Sequence, residues 1–153
     1  MKRTILWGAC WVLALGMWSC GGAGSRAKVV ADAEDTVVRR YVGTIPAADG
    51  PGIAMDLTLK NPAADSAGGD YRLSMTYQEA ENGMDRTFLS LGTWSAERGI
   101  PADSAAVYFR LVESSPWADT LNFLYLRDSV MLLGTDLSKP NSKLNYSLVR
   151  TAE

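Results

Sequence analysis

From Ile53 to Lys60 the chain alternates strictly. Ile53, Met55, Leu57 and Leu59 are large and apolar, whereas Ala54, Asp56, Thr58 and Lys60 are small or polar. Tyr71, Leu73, Met75 and Tyr77 repeat the pattern against Arg72, Ser74, Thr76 and Gln78. A period of two places alternate side chains on opposite faces of an extended strand, so each segment reads as a strand with one face in a core and the other in water. These two segments commit the middle of the chain to a sheet.

Their neighbours extend it. Tyr41, Gly43 and Ile45 share one face of a first strand that starts near Arg39, and the loop from Pro46 to Gly52 turns the chain with two prolines and two glycines. Asn61 to Gly69 is a second loop by its turn residues, and Asn82-Gly83 predicts a hairpin with a type I′ turn. A fourth strand is expected over Arg86–Ala96. Its phase is open, because Phe88 and Trp94 lie on one parity and Leu89 and Leu91 on the other. A loop over Glu97–Ser104 leads to a fifth strand carrying Val107, Phe109 and Leu111. Leu121–Tyr125, Val130–Leu133 and Leu144–Leu148 supply three more. About eight short strands with turns between them, and no convincing amphipathic helix, indicate an all-β fold. Eight is a number that closes a small antiparallel barrel.

The N-terminus is of another kind. Lys2 and Arg3 precede an uncharged apolar run from Thr4 to Trp18, too short for a comfortable permanent span, which reads as a secretion signal. It ends at Met17-Trp18-Ser19-Cys20-Gly21-Gly22, which resembles a bacterial lipoprotein signal, in which the cysteine is acylated and becomes the first mature residue. Trp18 and Met17 depart from the usual residues there. The alternative is ordinary cleavage near Gly21-Gly22-Ala23, and the cysteine at the end of the apolar run favours the lipoprotein. Residues 1–19 are then the signal peptide, 20–38 the lipidated Cys20 and a flexible tether, and 39–150 the barrel domain. Several acyl chains, at about 0.8 kcal/mol per buried methylene, make such an anchor effectively permanent. Gly21 to Ser25 carries no acidic residue, which favours an outer-membrane protein that faces the periplasm. Cys10 leaves with the signal, so no thiol or disulfide remains to staple the domain.

Composition narrows function. The formal net charge is −2, and loss of Lys2 and Arg3 makes the remainder more acidic, against sequence-independent nucleic-acid binding. There are 0 histidines, which removes the commonest general base and metal ligand. No G-x-S-x-G elbow and no paired carboxylates stand out, so no enzyme is expected. Asp65, Ser66 and Asp70 lack the spacing of a calcium loop. Met55 and Met75 lie in the apolar phase of their strands, where packing outweighs Cu(I) ligation, and no metal or other cofactor is expected. Trp94 reads as core. Trp117, beside Pro116 in a loop, is a candidate for the rim of a binding surface, and Asp49 is the candidate side chain in the Pro46–Gly52 loop.

Tyr41-Val-Gly-Thr-Ile-Pro-Ala-Ala-Asp-Gly-Pro-Gly-Ile53, followed by Leu57-Thr-Leu59, resembles the start of the N-terminal domain of the NlpE lipoprotein family. Tyr71 with Leu73, Gly92-Thr93-Trp94 and Asn145-Tyr146-Ser147-Leu148 extend the likeness from about Arg39 to Arg150. The resemblance implies a lipocalin-like β-barrel in an envelope lipoprotein linked to copper resistance and to the Cpx envelope-stress response. The family's Cys-x-x-Cys is absent, its two places being held by Ala47 and Gly50, and the chain leaves no room for the C-terminal OB-like domain of larger members. The expected function is non-catalytic binding, sensing or accessory work in the envelope. Its partners are the membrane through the lipid anchor and either an envelope protein or a small apolar ligand. The alternative is a lipocalin-like carrier of that ligand.

Overall fold

A computed structural model describes residues 36–48, 50–115 and 120–152. The expected signal peptide, Cys20 and almost all of the tether lie outside these residues.

Eight strands follow one another: β1 (Val37–Ile45), β2 (Ile53–Asn61), β3 (Gly68–Glu81), β4 (Met84–Ile100), β5 (Asp103–Glu113), β6 (Thr120–Tyr125), β7 (Ser129–Leu132) and β8 (Ser147–Thr151). Each pairs antiparallel with the next, and β8 returns to β1 through Val42 opposite Val149, which closes a barrel. Closure leaves no edge strand open to pairing with another chain. There is no helix among the described residues. β1 begins at Val37, so the barrel takes in Val37 and Val38, two residues earlier than the sequence pattern indicates.

The alternation of β2 and β3 governs the core. Met55, Leu57 and Leu59 point inward opposite Met75, Leu73 and Tyr71. They meet Tyr41, Trp94, Phe109, Leu111, Phe123, Val130 and Leu148 in one cluster, and Tyr41, Leu57, Leu59, Leu73, Phe123, Val130 and Leu148 are fully buried. The barrel is therefore packed with side chains, as eight-stranded barrels commonly are.

The hairpin between β3 and β4 forms at Asn82-Gly83, where both φ angles are positive, at 54° and 77°, as a type I′ turn requires. Its arm carries Tyr77 and Phe88 with ring centroids 5.5 Å apart, edge to face. The phase of β4 is settled by Ser90, Gly92 and Trp94, which turn inward, while Leu89 and Leu91 face outward and are half exposed. The expected Glu97–Ser104 loop is instead strand almost throughout: β4 runs on to Ile100, a register shift between Arg98 and Ile100 absorbs the bend, and only Pro101 and Ala102 separate it from β5. Leu144, expected in the last strand, precedes β8 and is exposed. A second, outer cluster of Ile100, Tyr108, Leu124 and Leu133, with Met131 and Leu137 against it, ties the segment after β7 to the barrel wall.

Candidate functional site: the open end of the barrel

Cys20, Asp49 and Trp117 lie outside the described residues, so the structure brings none of these expected site residues to a place. What it describes is the two ends of the barrel.

At one end the Pro46–Gly52 loop joins β1 to β2 and is tied to β3, where the Gln78 amide donates to the Gly52 carbonyl at 3.0 Å. Gly50 has φ 131°, and a Cβ there would stand 3.0 Å from the Gln78 carbonyl oxygen. A side chain at that place meets both a disfavoured backbone and a crowded neighbour. The residues present do not fit a thiolate metal site. Ala47 and Gly50 offer no ligand atom, and among the described residues no group of three or more His, Cys, Asp or Glu comes together.

The opposite end, where β1 starts and β2 finishes, has more chemistry. Arg39 shares the parity of Tyr41 and so turns to the inside of the barrel, although it is charged. Its guanidinium carbon lies 5.1 Å from the centroid of the Trp94 ring and 5.5 Å from that of Phe109, a cation-π seat on two aromatic faces. Nη2 donates to Asn61 Oδ1 at 2.9 Å, and Asn61, almost fully buried, donates through Nδ2 to the Ser66 carbonyl at 2.7 Å. Trp94 is fixed in turn by its Nε1, which donates to the Lys60 carbonyl at 3.2 Å. Phe109 packs against Trp94 with centroids 5.1 Å apart and against Tyr125 at 5.2 Å.

Two polar atoms in this region have no partner. Arg39 Nε and the Tyr41 hydroxyl are both shut off from solvent without a hydrogen bond. Burial raises the Tyr41 phenol above its ordinary value, with the nearby Arg39 charge pulling the other way. Among the described residues no carboxylate pairs with Arg39; the ion pair there is Arg40 with Asp56, on the outer face. A cleft of about 340 Å³ opens above this set, lined by Arg39, Asn61, Trp94, Phe109 and Tyr125 together with smaller side chains and no acidic residue. Clefts of about 440 and 490 Å³ on the outer wall carry Arg110 and Arg150, both solvent-exposed, so neither holds a desolvated charge.

The sequence places Trp94 in the core and Phe109 in the apolar phase of its strand, while Arg39 stands out only as the start of a strand. Its parity with Tyr41 was the available signal.

The NlpE N-terminal domain family matches residues 41–142. Among solved structures, the crystal structure of the Cpx pathway activator NlpE from Escherichia coli aligns with 23% identity over 75% of this chain and 52% of that one, with a TM-score of 0.47. This chain thus spans about half the length of that relative. A search of curated proteins finds no match. The family match takes in most of β1 and everything through β7, well over half of the sequence, and on that extent the chain belongs to the NlpE family through its N-terminal domain.

Proposed function

We propose that this chain is a bacterial cell-envelope lipoprotein that works by binding, in a sensing or accessory role in envelope stress or copper tolerance. Acylated Cys20 anchors it in the outer membrane with the barrel facing the periplasm. The observation that carries this reading is the family match across the barrel, 41–142, joined to an apolar leader that ends at Cys20. The absence of histidine from the whole sequence and of acidic residues from the end cleft supports binding over catalysis. Copper tolerance in such a protein would act without the family's thiolates, through a partner rather than through the Pro46–Gly52 loop.

A lipocalin-like carrier of a small apolar ligand is the second reading, and the packing of the barrel bears on it. Leu57, Leu73, Phe123 and Leu148 fill the middle at 0% exposure, which leaves the end cleft as the place for a guest. Labelling cells with an alkyne fatty acid and separating the membranes tests the main reading. The wild type should label and sediment with the outer membrane. Equal labelling of Cys20→Ala would contradict it.

A further inference from the structure

We infer that the open end of the barrel binds an amphipathic anion: a ligand with one carboxylate or phosphate headgroup on an apolar tail. The headgroup meets Arg39, and the first part of the tail lies against Trp94, Phe109 and Tyr125. This deepens the binding reading above and rests on it.

The argument starts from an imbalance of charge. A guanidinium cannot be deprotonated at ordinary pH, and taking it out of water is costly unless an anion or a full set of acceptors replaces the water. Arg39 has one side-chain acceptor, Asn61, and a buried Nε with none. Aromatic faces supply part of the compensation but no hydrogen-bond acceptor. An acceptor-rich, negatively charged group is what Arg39 lacks. Nε is closed off and Nη2 is held by Asn61, so a carboxylate or phosphate meets the guanidinium from the cleft that Arg39 lines.

The cleft fixes the rest of the ligand. At about 340 Å³ it lies within the size range of small-molecule sites. Its ring walls favour an apolar or flat body over a sugar. A bare inorganic anion would satisfy Arg39 but leave the rings wet. A neutral apolar molecule would cover the rings but leave Arg39 unpaired. The two features together select an amphipath.

The test uses the soluble chain from Gly21 onward, which keeps the whole closed barrel. Decanoate, decyl phosphate and decanol, each below its aggregation limit, are titrated by calorimetry, with acetate and inorganic phosphate as headgroups alone. At least one of the two anionic decyl compounds should bind ten-fold or more tighter than decanol, and the tighter of the two identifies the headgroup. Acetate and inorganic phosphate should bind at least ten-fold more weakly than either. Arg39→Gln should lose ten-fold or more, while Arg40→Gln, on the outer face, should not. Asn61→Asp places a carboxylate against Arg39 and should abolish binding; because it also gives up the Nδ2 bond to the Ser66 carbonyl, circular dichroism and a melting curve of every variant separate lost binding from a lost fold. Decanol binding as tightly as both anions, or Asn61→Asp binding like the wild type, would overturn the inference. Fatty-acid labelling of Cys20 is unaffected by any of these outcomes, so the two readings fail separately.

Discussion

The Tyr71 hydroxyl and Ser90 Oγ share a hydrogen bond of 2.8 Å across the β3–β4 pair, with both side chains buried. Gly92 makes room for it: a Cβ there would stand 2.9 Å from Tyr71 Cε1 and would also run into the Val112 carbonyl. Tyr71→Phe leaves the serine hydroxyl buried without its partner, and Ser90→Ala does the same to the tyrosine. Each should destabilise the barrel by about 1–3 kcal/mol, whereas the double variant, which removes both polar groups, should lie closer to wild type than the two single losses added together. Urea denaturation of the four proteins measures this, and strict additivity would show that the bond contributes nothing.

Stability should respond differently to acid and to alkali. Asp56 is held below the ordinary carboxylate range mainly by its hydrogen bonds from Arg40, at 2.9 and 2.6 Å. A depressed carboxylate contributes stability above its unfolded pKa and loses it as pH falls through the folded value. The pair is 48% and 31% exposed, so solvent screening limits that loss to about 0.2–1 kcal/mol. Tyr41 and Tyr71 are raised above 10.0 chiefly by burial. Raised phenols contribute stability below their unfolded pKa that disappears as pH climbs through the folded values. The melting temperature should therefore fall only slightly between pH 5 and pH 3 on account of Asp56, and steeply above about pH 10. Asp56→Asn should remove much of the acid slope attributable to this pair and leave the alkaline limb unchanged.

The alternation of β2 and β3 was legible because each strand has one wet and one dry face. β4 was not, since Leu89 and Leu91 are apolar yet face outward at 52% and 50% exposure, and their hydrophobicity says nothing of burial. Leu144 misled for the same reason, at 61% exposure just before β8. The long β4–β5 hairpin was hidden by Gly99 and Pro101, which look like a loop in sequence. Here Gly99, with φ 91°, falls at the register shift inside an otherwise continuous ladder. The Arg39 cleft depends on residues from β1, β2, β4, β5 and β6 meeting at one end, a relation that only closure of the barrel creates.

The Pro46–Gly52 loop should not bind copper tightly. Titration of the soluble chain with Cu(I) against a competing chelator should give no submicromolar site, because places 47 and 50 carry no sulfur. Gly50→Cys should cost about 1–3 kcal/mol of stability by forcing a side chain onto a strained backbone. Submicromolar affinity in the unaltered chain would show that other atoms, the methionine thioethers foremost, take over.

Anchoring at Cys20 and a role in the envelope are tested together by gene replacement. In the native bacterium the gene would be deleted and replaced by wild type or by Cys20→Ala at equal expression, with copper tolerance and an envelope-stress reporter as readouts. Deletion should change at least one readout, wild type should restore it, and Cys20→Ala should not. A deletion without effect on either, or full rescue by the variant that cannot be acylated, would contradict an anchored envelope role.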